Sequence, residues 1–183
     1  MTTKSSSKTT TTESLLGLLS MGPMSGYEIR QLIEESIGNF WTESYGQIYP
    51  ALKKMVADGL AEVKEERAEG RPLKKVYTLT ERGQGRLREW LAMPAVKQVP
   101  RNELLLKIFF GAQAEMPVLR EQVEARRAKL AGDLKRYEAA AKRIAEMHVG
   151  NPGLKFWLMT AKYGIAEAKA LISWCDECLE ELR

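Results

Sequence analysis

Residues 44–62 read SYGQIYPALKKMVADGLAE, and the interpretation of the whole chain starts from them. The stretch begins as a helix, with Ser44 followed three residues later by Gln47, and it ends at Asp58-Gly59 before a strand-like run. A Ser and a Gln at this spacing favour a helix start, and a glycine favours a helix end. The outer side of this helix carries few charges. What such a helix is for is therefore the first question that the sequence raises.

The apolar residues of this stretch recur at helical spacing. With Leu52 at the centre of the buried face and about 100° per residue, Ile48, Met55 and Val56 fall within about 60° of that centre. The outward side is small or polar and holds Gly46, Gln47, Pro50 and Lys54, with Ala51 and Lys53 beside them. Because Pro50 lies beyond the first turn, the sequence predicts either a bend there or a later start of regular structure.

A helix with this outward side suits the major groove of DNA. Bulky side chains would block entry, the Gln47 amide can pair with adenine edges, and lysines can neutralise phosphate. We predict that the DNA-binding residues of this helix are Tyr45, Gly46, Gln47, Tyr49, Lys53 and Lys54. The alternative is an ordinary core helix in which both tyrosines pack, and Tyr49, about 60° from the buried centre, favours a partly buried position.

The flanking residues predict a mainly α fold, a winged helix-turn-helix over residues 13–92. Capping residues indicate helix starts at Thr10, Ser25, Ser44 and Thr80. Residues 60–65 and 73–79 alternate as strands around the polar loop ERAEGRP. The resulting order is helix, helix, helix, strand, loop, strand, helix. In this arrangement three short helices close one core and the hairpin covers its open edge.

The predicted hairpin carries a second basic cluster, which we call the wing. Its candidate DNA-binding residues are Arg67, Arg71, Lys74 and Lys75. Guanidinium groups at a hairpin tip can reach the DNA backbone or an adjacent minor groove. The acidic neighbours Glu65, Glu66 and Glu69 weaken the local field, so modest non-specific affinity is expected. The alternative is a hairpin tip that is merely solvated.

The remaining segments predict a tail, a linker and a helical domain. Residues 1–12 are rich in Ser and Thr and are expected to be a disordered tail, whereas residues 93–100 contain two prolines and are expected to be a linker. In residues 101–183 we expect a short apolar helix, a long helix from about Met116 to His148, and a last helix capped by Asn151. The last helix has a coiled-coil-like seam with steps of four and three residues at Leu154, Leu158, Ala161, Ile165, Ala168, Ile172, Cys175 and Leu179. We predict that this seam packs against a second subunit.

The composition of the 183 residues limits the function classes. The net charge is +4, with 13 Lys+Arg against 12 Asp+Glu before residue 93 and 15 against 12 after it, so any DNA-binding face must come from local placement. The sequence contains no run of 18 apolar residues, so no membrane-spanning helix is expected. The polar N-terminus lacks the apolar region of a secretory signal, so a cytoplasmic protein is expected. The sequence has no glycine-rich phosphate loop, no metal-ligand cluster and a single histidine, so we expect neither an enzyme nor a cofactor.

Several C-terminal residues admit two interpretations. Cys175 and Cys178 form a C-x-x-C pair, but one histidine cannot complete a zinc site, and core packing is favoured over redox sensing. For His148 we expect a structural role, a contact with the carbonyl groups at a helix end. The aromatic residues Phe156, Trp157, Tyr163 and Trp174 either line an effector pocket or, as is commoner for bundle helices, belong to the core or to a subunit interface.

The segments GPMSGYEI, FWTESYGQIYPAL and GRPLKKVYTLTERG make residues 14–91 closely resemble the PadR family of transcriptional regulators. The helices that include ELLLKIFFG resemble those of the longer PadR subfamily, whose helical domain drives dimerisation. The resemblance implies a homodimer that binds a pseudo-palindromic operator, usually as a repressor. It also implies release by a small-molecule effector, often aromatic, whose identity the sequence leaves unknown. The rival hypothesis is a winged-helix module that binds proteins without sequence-specific DNA binding.

Overall fold

The computed structural model describes residues 3–38, 40–41, 43–66, 73–96 and 101–183, and for residues 3–10 and Tyr45 it describes the backbone alone. The chain forms two compact units, residues 1–97 and 98–183. The boundary lies inside the segment 93–100, for which the sequence predicts a linker. In the described part of the chain, no helix is both long enough and apolar enough to cross a bilayer.

The first unit is a winged helix-turn-helix, as the sequence predicts. Its elements are α1 (Thr3–Leu19), β1 (Met24–Ser25), α2 (Gly26–Leu32), a π-helical turn (Ile33–Ile37), α3 (Tyr45–Ala57), β2 (Ala61–Glu66), β3 (Lys74–Leu79) and α4 (Glu81–Ala92). The strands form one antiparallel sheet in the order β1-β3-β2, in which Met24 pairs with Tyr77 and Ala61 with Leu79. The sequence does not predict β1, because two residues are too few to show a strand period.

α1 begins earlier than the sequence predicts. It starts at Thr3, so residues 3–12 belong to the helix, in contrast to the disordered tail expected over residues 1–12. Thr10 consequently lies inside α1 and does not cap it. Once buried leucines fix the C-terminal half of a helix, each further residue adds one backbone hydrogen bond, and Ser and Thr oppose that extension only weakly.

The predicted capping boxes at the starts of α2 and α3 are confirmed. At α2, the Ser25 backbone N–H donates to Glu28 Oε2 at 2.8 Å, and the Glu28 N–H donates back to Ser25 Oγ at 3.3 Å. At α3, the Ser44 backbone N–H donates to Gln47 Oε1 at 3.1 Å. These bonds satisfy N–H groups that a helix start otherwise leaves unpaired.

The end of α3 is fixed by the glycine that the sequence indicates. Gly59 has a φ of +69°, a left-handed conformation that favours glycine. The Leu60 N–H donates to the Met55 carbonyl at 2.8 Å, and the Gly59 N–H donates to the Val56 carbonyl at 3.1 Å. This is the Schellman arrangement. α3 continues through Pro50 to Ala57, so the proline does not delay its start.

The core of the first unit lies between α1, α3 and the sheet. Leu15 and Leu16 of α1 and Ile48, Leu52 and Met55 of α3 are completely buried. The same cluster contains the buried residues Leu18, Leu19, Ile29, Ile33, Ala61 and Tyr77. Burial of one such large apolar side chain stabilises the fold by about 1.5–3 kcal/mol. The inner face of α3 that the sequence predicts, Ile48, Leu52 and Met55, is therefore confirmed.

A buried carboxylate joins α1 to α4. Glu13 is 1% exposed, and its Oε1 accepts hydrogen bonds from Arg86 Nη2 at 2.7 Å and from Arg86 Nε at 3.2 Å. Its Oε2 has no hydrogen-bond partner among the described residues. A carboxylate that leaves water needs such a cationic partner, so Arg86 holds α4 against α1.

The second unit is built on a helical hairpin. Its elements are α5 (Glu103–Phe109), a 3-10 turn (Gly111–Gln113), α6 (Met116–Met147) and α7 (Leu154–Glu181). Arg120 Nη1 of α6 donates to the Leu179 carbonyl of α7 at 3.0 Å, and Lys169 of α7 lies 3.5 Å from Glu138 of α6, so the two helices are antiparallel. α7 begins at Leu154, and the Asn151 side chain accepts from the Gly153 N–H instead of capping α7.

The seam of α7 has a partner within the same chain. Ala168 and Cys175 are buried, and Ile172 and Leu179 pack in the cluster around Val123, Leu130 and Cys175. Ala168 is covered within the chain, which corrects that part of the prediction, whereas Ile172 and Leu179 are only partly buried, so their contact with a second subunit stays a prediction. A heptad stripe shows which face of a helix is covered but not which helix covers it. Leu154, Leu158, Ala161 and Ile165 are half-buried, so their contact with a second subunit stays a prediction.

The ambiguous C-terminal residues have distinct surroundings. Cys175 lies in the core, in agreement with its packing interpretation, and burial raises the pKa of its thiol. The ring of His148 packs edge-to-face on Trp157 with centroids 5.0 Å apart, and Trp174 packs against the Cys175 cluster. Phe156 and Tyr163, in contrast, are exposed. The structure thus assigns the four aromatic residues to different environments.

Two glycines of α4 provide a test of this packing. A Cβ on Gly83 would lie 2.1 Å from the Leu60 carbonyl oxygen, whereas a Cβ on Gly85 meets nothing within 4 Å. Gly83→Ala should lower the free energy of unfolding by about 1–3 kcal/mol through overpacking. Gly85→Ala should raise it by about 0.5–1 kcal/mol, because alanine favours a helix. Urea unfolding measures the change in the free energy of unfolding for both variants. Changes of the same sign would contradict the close approach of α4 to Leu60.

Candidate nucleic-acid interface

The outward face of α3 is exposed as the sequence predicts. Gly46, Gln47, Lys53 and Lys54 are exposed, opposite the buried face of the helix. Because the α3 core residues are locked against α1, this outward face is presented on a rigid scaffold. The backbone of Tyr45 starts the helix, and its side chain lies outside the described residues.

Gln47 closes the predicted capping box at the start of α3, and this role limits the base contact that the sequence predicts for it. Its Oε1 accepts from the Ser44 N–H at 3.1 Å and from Ser44 Oγ at 2.9 Å, so the acceptor end of the amide is used inside the protein. A bidentate contact with adenine needs both the oxygen and the NH₂ group of a glutamine. In the capped state, Gln47 therefore presents its NH₂ group outward as a donor, and a bidentate contact requires the capping box to open.

Tyr49 links the outward face of α3 to the start of α2. It is 40% exposed. A Cβ added to Gly26 would lie 2.7 Å from Tyr49 Cε1, so the ring can lie here only because residue 26 is glycine. Tyr49 is thus partly packed and partly exposed, as its position on the helix predicts. Its exposed part borders a groove between α2, α3 and the hairpin.

This groove, which we call the α2–wing groove, has a volume of about 800 Å³. The side chains that matter for its chemistry are Tyr27, Glu28, Gln31, Tyr49, Lys53, Lys74 and Lys75. The sequence-based analysis did not select Tyr27, Glu28 or Gln31, although Tyr27 lies within the segment GPMSGYEI. The groove combines hydroxyl and amide groups with three lysines, a donor set that suits phosphate oxygens.

Carboxylates neutralise most of the lysines predicted to bind DNA. Salt bridges join Lys54 to Asp58, Lys74 to Glu28 at 2.8 Å, and Lys75 to Glu65 at 3.4 Å. Lys53 is exposed and forms no ion pair with any carboxylate of the described residues. The Lys74 hydrogen bond, followed by those from Ser25, lowers the pKa of Glu28 to about 2. The field of this surface is therefore weaker than its lysine content indicates.

Two predicted wing residues, Arg67 and Arg71, lie outside the described residues. Lys74 and Lys75 lie at the start of β3, where Glu66 pairs with Lys74 and Glu65 with Lys75 in the strand register. Lys74 reaches Glu28 of α2, and both lysines line the α2–wing groove.

α1 and the segment before α3 support the other side of α3. Glu43 accepts hydrogen bonds from Thr11 Oγ1 at 3.1 Å and from Trp41 Nε1 at 3.1 Å. A pocket of about 210 Å³ lies beside the α1–α3 contact and is lined by Thr11, Thr12, Gly46, Gln47, Pro50, Ala51 and Lys54. The entry of the chain into α3 is thus held by hydrogen bonds to α1.

Comparison with known proteins identifies this architecture. A model described as the transcriptional regulator PadR-like family matches residues 15–89, and one described as virulence activator alpha C-term matches residues 100–183. The negative transcriptional regulator PadR of Bacillus subtilis (strain 168) is 30% identical over 170 residues, which cover 90% of this chain and 93% of that protein. The chain belongs to the PadR family of transcriptional regulators. This family consists of regulators and not of enzymes.

Solved structures of similar proteins share the fold of both units. B. subtilis PadR in complex with operator DNA is 25% identical, with a TM-score of 0.83 over 94% of this chain and 98% of that one. The same protein in complex with p-coumaric acid, at 24% identity, has a TM-score of 0.75 over 93% and 94% of the two chains. The Vibrio cholerae virulence activator AphA is 26% identical, with a TM-score of 0.70 over 94% and 97%.

The contrast between paired and unpaired lysines gives a testable difference. Lys53→Ala should reduce the magnitude of the slope of log K against log salt by about 0.9, the value for one lost phosphate contact. Lys54→Ala should weaken binding and reduce the slope less, because Asp58 already holds that ammonium group. Fluorescence anisotropy with a labelled duplex over a range of salt concentrations measures both effects. Lys162→Ala, at an exposed position of α7, is the matched control.

If Lys53→Ala has the same slope of log K against log salt as the wild type, Lys53 does not contact a phosphate. An equal loss in Lys162→Ala would show that only the net charge of the protein matters.

Proposed function

We propose that two copies of this PadR-family chain bind a pseudo-palindromic operator and repress transcription. The observation that carries the proposal is the rigid, exposed face of α3, which is small at Gly46, polar at Gln47 and cationic at Lys53. Such a face can enter a major groove without a steric block. The operator complex of B. subtilis PadR, similar over 94% of this chain, supports the same use of this fold.

In the proposed complex the two α3 helices lie in successive major grooves about one helical turn apart. The residues at the groove are those of the outward face, namely Tyr45, Gly46, Gln47, Tyr49, Lys53 and Lys54. The hairpin residues Arg67, Arg71, Lys74 and Lys75 contact the flanking backbone. These phosphate contacts position the protein, and the groove contacts of α3 supply sequence preference.

Selection of bound fragments from random duplex DNA tests the proposal. The expected result is an enriched site with two related half-sites whose centres are about 10–10.5 base pairs apart, or a multiple of that spacing. Gly46→Leu is the negative control and should enrich no site. A Cβ at this position meets only Ser44 Oγ at 3.7 Å, so the larger side chain should block entry into the major groove without disturbing the core. A protein that enriches no sequence would instead favour the rival protein-interaction module.

The proposed homodimer needs a surface on the second unit, and α7 offers one. Apolar residues at steps of three and four lie exposed outside the face that packs on α6, namely Phe156, Met159, Tyr163, Ala166 and Ala170. An exposed apolar stripe of this kind marks an interaction surface. We assign it to a second copy of the chain, because a pseudo-palindromic operator requires two heads related by a two-fold axis. The small alanines allow the two helices to approach closely.

Met159→Glu tests this interface. Met159 is 65% exposed, so the substitution should leave the hairpin folded while placing two like charges in the dimer. Sedimentation at micromolar concentration should show a monomer, and operator affinity should fall more than tenfold because the two heads then bind independently. Lys162→Glu, an exposed position outside the stripe, should remain dimeric. A dimeric Met159→Glu protein would exclude the stripe as the interface.

Release by a small-molecule effector completes the proposal. The p-coumaric acid complex of B. subtilis PadR supports it, since that fold accommodates a small aromatic acid. Both heads must engage one duplex at the same time, so a ligand that changes their separation by a few ångströms weakens binding.

A further inference from the structure

Glu28 stands out in the α2–wing groove because its two oxygen atoms have separate partners. Oε2 accepts from the Ser25 backbone N–H and from Ser25 Oγ, each at 2.8 Å, which closes the capping box of α2. Oε1 accepts from Lys74 Nζ at 2.8 Å, across a sequence separation of 46 residues. One side chain therefore both caps a helix and holds a lysine of the hairpin.

The cap keeps the carboxylate in place. A solvated glutamate could rotate away when a phosphate approaches Lys74, but Oε2 of Glu28 is tied to the helix start by two hydrogen bonds. Glu28 is therefore a fixed negative charge at the edge of the groove. A glutamate is already ionised at neutral pH, and the lowered pKa of Glu28, about 2, extends this negative charge into the acid range.

Lys53 and Lys74 line the same groove but differ in pairing. Lys53 has no carboxylate partner among the described residues, whereas Lys74 is held by Glu28. A DNA phosphate can bind Lys53 directly. It can bind Lys74 only by displacing Glu28 Oε1 or by sharing the ammonium group with it, and in both cases it meets the charge of the fixed carboxylate.

We propose that Glu28 sets the DNA affinity of this protein by competing with a DNA phosphate for Lys74. The inference rests on the proposed function and adds to it a residue, Glu28, that limits DNA binding. Non-specific binding depends almost entirely on phosphate neutralisation, so a carboxylate that occupies one lysine lowers it directly. Glu66 and Lys75, the other charged residues at the hairpin side of the groove, flank this pair without closing the α2 cap.

Glu28→Gln separates the two roles of this side chain. Glutamine at the third helical position still closes a capping box with its oxygen, while its NH₂ group no longer attracts the Lys74 ammonium. The variant should bind a random-sequence duplex several-fold more tightly at low salt. Its log K against log salt should be steeper by about 0.9, the value for one added phosphate contact. Thermal unfolding verifies that the variant is folded.

Two further variants make the result specific to Lys74. In the double variant Glu28→Gln with Lys74→Ala, the gain in affinity and the steeper slope should both disappear. Glu89→Gln makes the same charge change at an exposed position of α4, outside the groove, and should leave the slope unchanged. Independently of residue 28, Lys74→Ala should lose less affinity than Lys53→Ala, because only Lys74 is already neutralised.

The inference is overturned if folded Glu28→Gln matches the wild type in affinity and slope. It is also overturned if Glu89→Gln gives the same gain, if the gain persists without Lys74, or if Lys74→Ala loses as much affinity as Lys53→Ala. A wild-type protein that binds no duplex at any salt concentration would instead refute the proposed function itself.

Discussion

The packing of α3 on α1 is the constraint that sets the direction of the outward face of α3. Leu15 and Leu16 of α1 lie in one cluster with Ile48 and Leu52 of α3, and all four are completely buried. Because protein interiors are densely packed, α3 cannot rotate about its axis without opening cavities in this contact. The buried contact with α1 therefore sets the direction in which the exposed residues of α3 point. The capping box at Ser44 and the left-handed Gly59 fix where the helix begins and ends.

The charges on this rigid surface are closely balanced. Three of the described lysines predicted to bind DNA form salt bridges, with Asp58, Glu28 and Glu65 as their partners. Exposed pairs of this kind add little to stability, typically about 0–1 kcal/mol each. Their larger consequence concerns binding, because each carboxylate competes with phosphate for a cation. A near-neutral surface of this type favours sites that also offer good contacts to α3 over DNA in general.

Much of the first unit could be predicted from local signals. The serine caps at Ser25 and Ser44, the apolar spacing of Ile48, Leu52 and Met55, and the glycine at the end of α3 all correspond to structural features. β1 could not be predicted, since it exists only through its pairing with β3. The partner of the α7 seam was also beyond the sequence, because the same stripe fits α6 or a second subunit equally well. The pairing of Lys74 with Glu28 joins residues 46 positions apart along the chain, which no local pattern shows.

By itself, the sequence determined the mainly helical winged fold, the buried and outward faces of α3, and the resemblance to the PadR family. These properties follow from residue spacings within one helix or hairpin, where neighbours along the chain are also neighbours in space. The tertiary structure alone decided that α6 covers Cys175 and that Glu28 holds Lys74. The physical reason is that a periodic pattern specifies which side of an element is covered or exposed, whereas its partner is chosen only when distant segments fold together.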